Sequence, residues 1–341
     1  MKDARPPQDE ITRSGATGPP QPGAGPQIRL GVSACLMGER VRYDGGHKQD
    51  RFLIKTLGRH VEWVHVCPEL EMGLGVPRPT IRLQQGPDGP RLVEPRSGAD
   101  HTDAMRAWSE EKIDRLAALD LHCFVLKKNS PSCGLFRLKV YPAKGGAPER
   151  DGRGIFADVL ARRLTLLPLE EEGRLCDPRL RENFIERVFA YRRWRDLLET
   201  DPTPRGLVRF HTESKFALLA HSTTHYRALG RLVADAGRTP WAELEARYGA
   251  LYMECLGVLA TPGRQTNVLQ HLAGHLKREL DDGDRAELAE LIGSYRAGLV
   301  PLVVPLTLLQ HHFRRATGKE WARSQTYLNP YPRELMLRNH V

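Results

Sequence analysis

The sequence contains no apolar run that approaches the ~18–20 residues needed for a membrane-spanning helix. Residues 1–27 also lack an apolar stretch, and they are rich in proline, glycine and glutamine. We therefore expect neither a membrane anchor nor a signal peptide, and we expect a cytoplasmic location. Residues 1–27 are expected to form a disordered tail, because such a composition buries too little apolar surface to offset the entropy of ordering.

Cysteine is scarce, with six among 341 residues, and no two cysteines form a CxxC pair. In a reducing compartment, cysteines are typically core residues, metal ligands or nucleophiles, and disulfides are rare. Zinc ribbons usually bring their cysteines in CxxC pairs. The absence of such a pair therefore argues against a zinc ribbon.

Acidic residues are outnumbered, since 42 aspartates and glutamates stand against 51 lysines and arginines, for a formal net charge of +9. A basic balance of this size is compatible with a nucleic-acid partner. It is equally compatible with a basic protein that binds no nucleic acid. From Thr203 onward, 18 basic residues stand against 13 acidic ones, so part of the excess lies in the second half.

Short apolar runs at 28–34, 61–66 and 122–127 predict strands, and the stretch 101–119 between them has helical spacing. Strands that alternate with helices indicate an α/β domain with a mostly parallel, Rossmann-like sheet in three layers. A further helix is predicted over 178–199, with Asp177 as its N-cap and Pro178 in its first turn. An all-α region follows, with helices predicted at 206–220, 222–236, 240–258, 264–280, 284–297 and 301–316.

The segment DPTPRG at 201–206 interrupts the helical pattern, and we place the domain boundary there. The predicted organisation is a catalytic domain at 28–165, a helical connector at 166–204 and an all-helical domain at 205–341. No internal repeat is present.

Three cysteines follow the predicted strands. Cys35 comes directly after the first strand, Cys67 directly after the second, and Cys133 six residues past the third. Loops that follow parallel strands gather at the carboxyl edge of a sheet, so these cysteines are expected to meet. Thiolates favour zinc or iron–sulfur clusters, and a cluster with three ligands keeps one iron open for Lewis-acid chemistry. Spacing alone leaves ordinary buried cysteines as an equal alternative.

Three motifs in the first half, SACLMGERVRYDGGHK, VCPELEMGLGVPRP and LKKNSPSCG, resemble the signature stretches of TudS-type desulfidases, over residues 28–165. Residues 205–338 resemble the YbgA-type domain that is often fused behind them, through RGLVRFHTESKFALLAHS, TPGRQTNVLQHLAGHLK and QTYLNPYPREL. The fusion resembles desulfidases that act on 4-thiouridine in tRNA.

This resemblance implies a 4Fe–4S cluster on Cys35, Cys67 and Cys133, with the free iron taking the substrate sulfur. Water then replaces the sulfur, which gives uridine and sulfide without net redox change. The implied partner is tRNA, and no obligate protein partner is inferred. Two alternatives are a desulfidase of free thiolated nucleobases such as 2-thiouracil and a non-catalytic RNA-binding iron–sulfur protein. The basic helical half argues against the first, and the missing fourth cysteine against the second.

The implied chemistry needs a group that deprotonates water and protonates the ring nitrogen or the leaving sulfur. Glu69, two residues after a cysteine ligand, is the first candidate for this acid/base role. Further catalytic candidates are Asp44, Ser130 and Ser132; candidates for holding the base, a phosphate or developing charge are Ser33, His47, Arg78 and Lys128.

The helical half is expected to supply an RNA-binding face. Candidate contacts are Arg209, His211, Lys215, Arg264 and His271, with Tyr327 and Tyr331 as possible stacking partners for bases. The pairs His221/His225 and His271/His275 are spaced i, i+4, which places each pair on one helical face. No HExxH motif accompanies them, so hydrogen-bonded or RNA-contacting histidines are favoured over metal ligands.

Overall fold

A computed structural model describes residues 28–341, so the tail predicted at 1–27 lies outside the described residues. The described chain forms two compact units that divide between Gly173 and Arg174. None of its helices is long and apolar enough to cross a membrane.

The first unit is an α/β domain. Its elements, in chain order, are β1 (Ile28–Ser33), β2 (Val61–Val66), α1 (Pro68–Glu71), β3 (Arg82–Gln84), β4 (Arg91–Val93), α2 (Thr102–Ala117), β5 (Cys123–Leu126), β6 (Leu138–Tyr141), β7 (Glu149–Gly152), α3 (Ile155–Arg163) and β8 (Leu169–Glu171).

Four of these strands form a parallel sheet in the order β2-β1-β5-β8. Leu30 at the centre of β1 lies beside Trp63 of β2 on one side and Cys123 of β5 on the other. All four residues of β5 are buried, as expected for an interior strand of a parallel sheet. The Phe156 ring of α3 packs against Trp108 of α2 and Phe124 of β5. The predicted α/β class and its parallel sheet are confirmed.

A second, mixed sheet in the order β4-β3-β6-β7 was not predicted. β3 pairs with β4 antiparallel and with β6 parallel, and β6 pairs with β7 antiparallel. Each of these strands has only three or four residues. Runs of that length are too short to show a strand period in the sequence.

The second unit is helical, as predicted. Its helices are α4 (Pro178–Thr200), α5 (Pro204–His221), α6 (Thr223–Ala234), α7 (Trp241–Gly257), α8 (Pro262–Gly274), α9 (Asp282–Arg296) and α10 (Val303–Arg315). The predicted cap is confirmed, since the Asp177 carboxylate accepts hydrogen bonds from the backbone N–H groups of Arg179 and Leu180 at 2.9 and 3.0 Å. α8 ends at Gly274, six residues before its predicted end at 280.

The segment 166–204, treated above as a helical connector, is divided between the two units. β8 pairs with β5 and completes the parallel sheet of the first unit. α4 belongs to the second unit, where its Trp194 ring stacks on Tyr248 of α7 at 5.5 Å. The sequence pattern did not reveal this division, because β8 is three residues long and the proline-rich break after α4 is the more conspicuous signal.

Candidate active site

The three cysteines lie where strands of the parallel sheet end. Cys35 is in a short helical turn, Ala34–Met37, that follows β1 directly. Cys67 is the N-cap residue of α1, directly after β2. Cys133 is in the loop after β5, and both Cys35 and Cys133 are buried. The parallel order of β2, β1 and β5 brings these loops to the same edge of the sheet.

All three thiols line one cavity of about 220 Å³. Its other lining residues include Ser33, Glu69, Arg78, Lys127 and Ser130. The sequence prediction that Cys35, Cys67 and Cys133 come together is therefore matched by the fold. Two further lining residues, Arg42 and Tyr43, lie in the same motif as Cys35 and were not singled out from the sequence.

The three cysteines around the cavity have raised pKa values. Burial raises the pKa of Cys35 to about 11 and that of Cys67 to about 12. Burial, with the charges of Glu69, Cys67 and Cys35, raises the pKa of Cys133 well above its usual range. Thiolates are the usual protein ligands of iron–sulfur clusters.

The Glu69 carboxylate is held by donors on both of its oxygens. Oε1 accepts hydrogen bonds from the hydroxyls of Ser132 at 3.0 Å and Ser130 at 3.3 Å. Oε2 accepts from Nε of Arg78 at 3.1 Å and also from its Nη2. The buried Arg78 guanidinium also donates to the carbonyls of Val41 and Gly75, which fixes its position. The result is an oriented carboxylate at the cavity wall.

Two serines form hydrogen bonds with the residues around Cys133, and one of them also contacts the Glu69 carboxylate. The Ser130 hydroxyl oxygen accepts the backbone N–H of Cys133 at 3.1 Å, so one side chain contacts both Glu69 and the cysteine loop. The Ser33 hydroxyl is hydrogen-bonded to the Cys133 thiol and accepts the backbone N–H of Lys127 at 3.0 Å. Hydrogen bonds to ligand sulfurs and ligand loops tune the chemistry of a metal site.

Four predicted site residues of the first unit do not line this cavity: Ser132, which reaches it only through Glu69, and Asp44, His47 and Lys128. The exposed Asp44 caps its own turn, and its hydrogen bond from the Gly46 N–H lowers its pKa. His47 is exposed and accepts the backbone N–H of Gln49. Lys128 is exposed, with its side chain against Gly173. Asp44 lies outside the cavity, whereas Glu69 lines it.

Sequence reasoning also missed two acids at the end of β8. Glu172 forms an ion pair with Lys127 and accepts the backbone N–H of Lys128 at 2.7 Å. Glu171 accepts the backbone N–H groups of Leu135 and Phe136 at 2.7 and 3.2 Å. Both fix loops next to the cavity. The run of three glutamates at 170–172 is the sequence signal that could have drawn attention to them.

In the second unit, the predicted RNA contacts have varied surroundings. Arg209 is exposed and pairs with Asp201 at 3.0 Å, and His271 is exposed. The Lys215 ammonium lies 5.5 Å from the Trp321 ring centroid, and Arg264 donates to the carbonyl of Leu259. Burial and Lys215 lower the pKa of half-buried His211 to about 4, so this ring is neutral at physiological pH.

The prediction that Tyr327 stacks on a base is wrong. Its side chain is 1% exposed, and its hydroxyl donates to Oε1 of Gln265 at 2.6 Å. The ring is part of the helical core and is not available to stack on a base. Tyr331 is also tied inward, because its hydroxyl donates to Glu182 at 2.8 Å.

The histidine pairs make local hydrogen bonds. His221 is buried between the carbonyl of Val258 and the carboxylate of Glu186. His225 is hydrogen-bonded through Nδ1 to the hydroxyl of Ser222 at 2.7 Å. These partners account for the first pair without a metal ion.

Comparison with known proteins gives matches for both halves. Residues 30–172 match the family model described as 2-thiouracil desulfurase, and residues 215–332 match DUF1722, described as a protein of unknown function. The chain is 34% identical over 164 residues to the uncharacterized protein YbgA of Escherichia coli (strain K12), covering 47% of this chain and 95% of YbgA.

Two further proteins are similar to the chain. The uncharacterized protein YbbK of Bacillus subtilis (strain 168) is 31% identical over 108 residues, which cover 30% of this chain and 71% of YbbK. A solved structure of the 4Fe–4S-dependent thiouracil desulfidase TudS shares 31% sequence identity and a TM-score of 0.37, over 44% of this chain and 94% of that one.

Proposed function

Because the chain belongs to the family in which a 2-thiouracil desulfurase domain is joined to a YbgA-type domain, we propose that it is a desulfidase of thiolated uracil and that its substrate is 4-thiouridine in tRNA. The observation that carries the proposal is the cavity lined by Cys35, Cys67 and Cys133 with the oriented carboxylate of Glu69. The reaction exchanges sulfur for the oxygen of water: C=S and H₂O give C=O and H₂S, with no electrons gained or lost.

The residues around the cavity fit a 4Fe–4S cluster held by Cys35, Cys67 and Cys133. All three line one cavity, and thiolates are the usual protein ligands of iron–sulfur clusters. When bound, such a cluster would supply Lewis-acid chemistry toward the substrate sulfur. Burial raises the pKa of these thiols, so ligation would have to displace their protons.

Glu69 supplies the proton-transfer group. Its Oε1 accepts a proton from the attacking water and returns it to the ring nitrogen or the leaving sulfur. Ser130 and Ser132 donate to this oxygen, and Arg78 donates to Oε2, so the carboxylate keeps one orientation through the reaction. A carboxylate fixed before the substrate arrives loses little entropy on reaching the transition state.

The size of the cavity bears on how the substrate enters. The cavity of about 220 Å³ is small beside the ~300–1,000 Å³ of typical ligand pockets, and a cluster would take up part of it, so only the base of a nucleotide could approach the cysteines. A uridine within folded RNA therefore has to leave its stack, at a cost of a few kcal/mol. The basic, all-helical second unit is where we place most of the RNA-binding energy that offsets this cost. Arg209, Lys215 and His271 are our candidates for its contacts.

A desulfidase of free thiolated nucleobases is the second candidate. The description of the family model, 2-thiouracil desulfurase, favours it. The catalytic residues would be the same, and only the role of the helical unit would differ.

Turnover of two substrates by the anaerobically reconstituted protein separates these functions. We expect 4-thiouridine-containing tRNA to lose its thiouridine absorbance band with release of one sulfide per uridine formed. Consumption of free 2-thiouracil with no change in the tRNA would replace the proposal by the second candidate. A loaded cluster with no turnover of either substrate would leave a non-catalytic iron–sulfur protein.

A further inference from the structure

The first unit has a second cavity, a groove of about 590 Å³, which we call the arginine groove. Its lining includes four arginines against two aspartates; the arginines are Arg106, Arg137, Arg153 and Arg162. An exposed aromatic ring, Phe136, lies among them with 40% of its surface accessible. Basic side chains interleaved with an exposed aromatic ring are typical of surfaces that bind single-stranded nucleic acid.

The ion pairs in the arginine groove are exposed and leave its arginines available to bind other anions. Asp158 pairs with both Arg153 and Arg162, at 3.7 and 3.0 Å. These side chains are each more than 40% exposed, and exposed pairs of this kind contribute little and exchange readily for other anions. Within residues 28–341, Arg137 has no carboxylate partner. Arg106 also pairs with Asp103, at 3.9 Å. Arg137 is therefore the groove arginine whose charge no carboxylate of the described residues neutralises.

The backbone presents Phe136 and Arg137 to this groove from a fixed loop. The buried Glu171 carboxylate anchors the N–H groups of Leu135 and Phe136. Arg137 follows with a φ of 52°, in the left-handed region that non-glycine residues rarely adopt. A strained position persists only where its surroundings enforce it, and such positions cluster at functional sites.

The same loop carries Cys133. Gly154, before α3, donates its N–H to the carbonyl of Gly134, and Ala157 donates to that of Ser132. A Cβ at Gly154 would meet the Ser132 carbonyl oxygen at 2.5 Å, so this close packing requires glycine. Arg137 is four residues past Cys133, a length of chain that spans at most about 14 Å. At about 3.4 Å of rise per stacked nucleotide, the distance between Cys133 and Arg137 corresponds to at most a few nucleotides of RNA.

We infer that the arginine groove binds the sugar–phosphate backbone of the RNA next to the thiolated uridine. Arg137, Arg153 and Arg162 contact phosphates, and Phe136 stacks on a neighbouring base. The catalytic domain would then hold the RNA locally while the helical unit binds it elsewhere. This inference rests on the proposed function, since it takes RNA as the substrate.

Two variants of Arg137 test the inference in the full-length, reconstituted protein. Arg137→Gln should raise the KM for thiolated tRNA about tenfold, and it should reduce by about one the slope of log affinity against log salt for a fluorescein-labelled oligoribonucleotide. Arg137→Lys, which keeps the charge, should restore most of both values. Phe136→Ala should weaken oligoribonucleotide binding with little change in the salt slope.

Arg96→Gln is the matched control, because Arg96 is an exposed arginine of the same domain that does not line the groove. It should leave KM and the salt slope unchanged. If the wild type turns over tRNA while Arg137→Gln and Phe136→Ala equal it in KM and RNA affinity, the groove assignment alone is overturned. If the wild type binds the oligoribonucleotide through these residues and desulfurates only free 2-thiouracil, the groove remains an RNA-binding surface, while the proposed tRNA substrate is overturned. If the wild type does neither with RNA, both are overturned.

Discussion

At the scale of single residues, the site depends on how Glu69 is held. One oxygen accepts from two serine hydroxyls and the other from a buried guanidinium. Ser130 and Ser132 lie beside Cys133 in sequence, so the carboxylate, its donors and the cysteine loop move as one group. A carboxylate with this many hydrogen-bond donors is oriented before the reaction begins, so no free energy is spent on orienting it during the reaction.

Glu69→Gln should remove proton transfer while keeping most of the local packing. We expect kcat to fall by about 10²–10⁴-fold, the usual contribution of a positioned acid/base, while the iron content of the reconstituted protein stays the same. Glu111→Gln, at an exposed glutamate of α2, is the control and should keep the wild-type rate. An unimpaired Glu69→Gln protein would assign the proton transfer to another group.

Residue-scale predictions from sequence succeeded where position along a strand determines position in space. Cys35, Cys67 and Cys133 could be placed together because the carboxyl ends of parallel strands meet at one edge. Tyr327 could not be judged in this way, because its burial depends on the packing of distant helices. The pairing of Arg78 with Glu69 likewise depends on loop conformation, which periodicity does not encode.

At the scale of elements, the helical unit contains a buried ionic cluster between α4, α5 and the C-terminal segment. The Arg338 guanidinium donates to Glu182 at 3.3 Å and lies 4.0 Å from Glu186, which also pairs with His221. Burial acts to raise the pKa of Glu186, but the charges of His221 and Arg338 outweigh it and lower that pKa. Burial and the charge of Glu186 raise the pKa of Glu182.

Arg338→Met should strongly destabilise the helical unit, because it leaves the buried Glu182 carboxylate without its cation and removes one of the positive charges near Glu186. We expect the free energy of unfolding to fall by about 3–5 kcal/mol, measured by denaturant titration. The control is Arg333→Met at an exposed arginine nearby, which should change stability by less than about 0.5 kcal/mol. Equal stability of the two variants would show that the cluster contributes nothing net.

The stability of the folded protein should depend on pH through His211 of α5. Its pKa in the folded protein is about 4, below the ordinary value of 6.5, because burial and Lys215 disfavour the charged ring. The contribution of His211 to the free energy of unfolding is present in full above pH 6.5. It is lost as the pH falls toward 4, because only the unfolded chain binds the proton in that range. Allowing for solvent screening, the loss is about 1–2 kcal/mol.

His211→Gln should flatten this part of the stability curve between pH 6.5 and 4, measured as the midpoint of thermal unfolding at each pH. His340→Gln, at an exposed histidine near the chain end, should keep the wild-type slope. A His211→Gln protein whose midpoint falls with pH as steeply as that of the wild type would contradict the assignment.

Elements with strong local signals could be predicted from the sequence, and short ones could not. The helices of the second unit follow apolar stripes, and α4 has its cap residues in place. The strands of the mixed sheet are three or four residues long and are stabilised by each other, so their existence depends on tertiary pairing.

At the scale of the whole molecule, the chain consists of two units, and their boundary determines which fragments fold. α4 is rich in buried side chains, including Phe184, Trp194 and Leu197, which pack within the helical unit. A fragment of residues 28–173 should therefore be monodisperse, whereas residues 28–204 should aggregate, because that fragment exposes the apolar face of α4. Size-exclusion chromatography checks this. If the fragment 28–204 is monodisperse and the fragment 28–173 aggregates, α4 belongs to the first unit and the boundary lies after it.

We propose that Cys35, Cys67 and Cys133 together hold the group that removes sulfur from tRNA. The most direct test compares desulfuration of 4-thiouridine-containing tRNA by the reconstituted wild type, by Cys133→Ser and by the control Cys176→Ser, at an exposed thiol. We predict that the wild type and Cys176→Ser release sulfide at equal rates and that Cys133→Ser releases none. Retained desulfuration by Cys133→Ser would contradict the account.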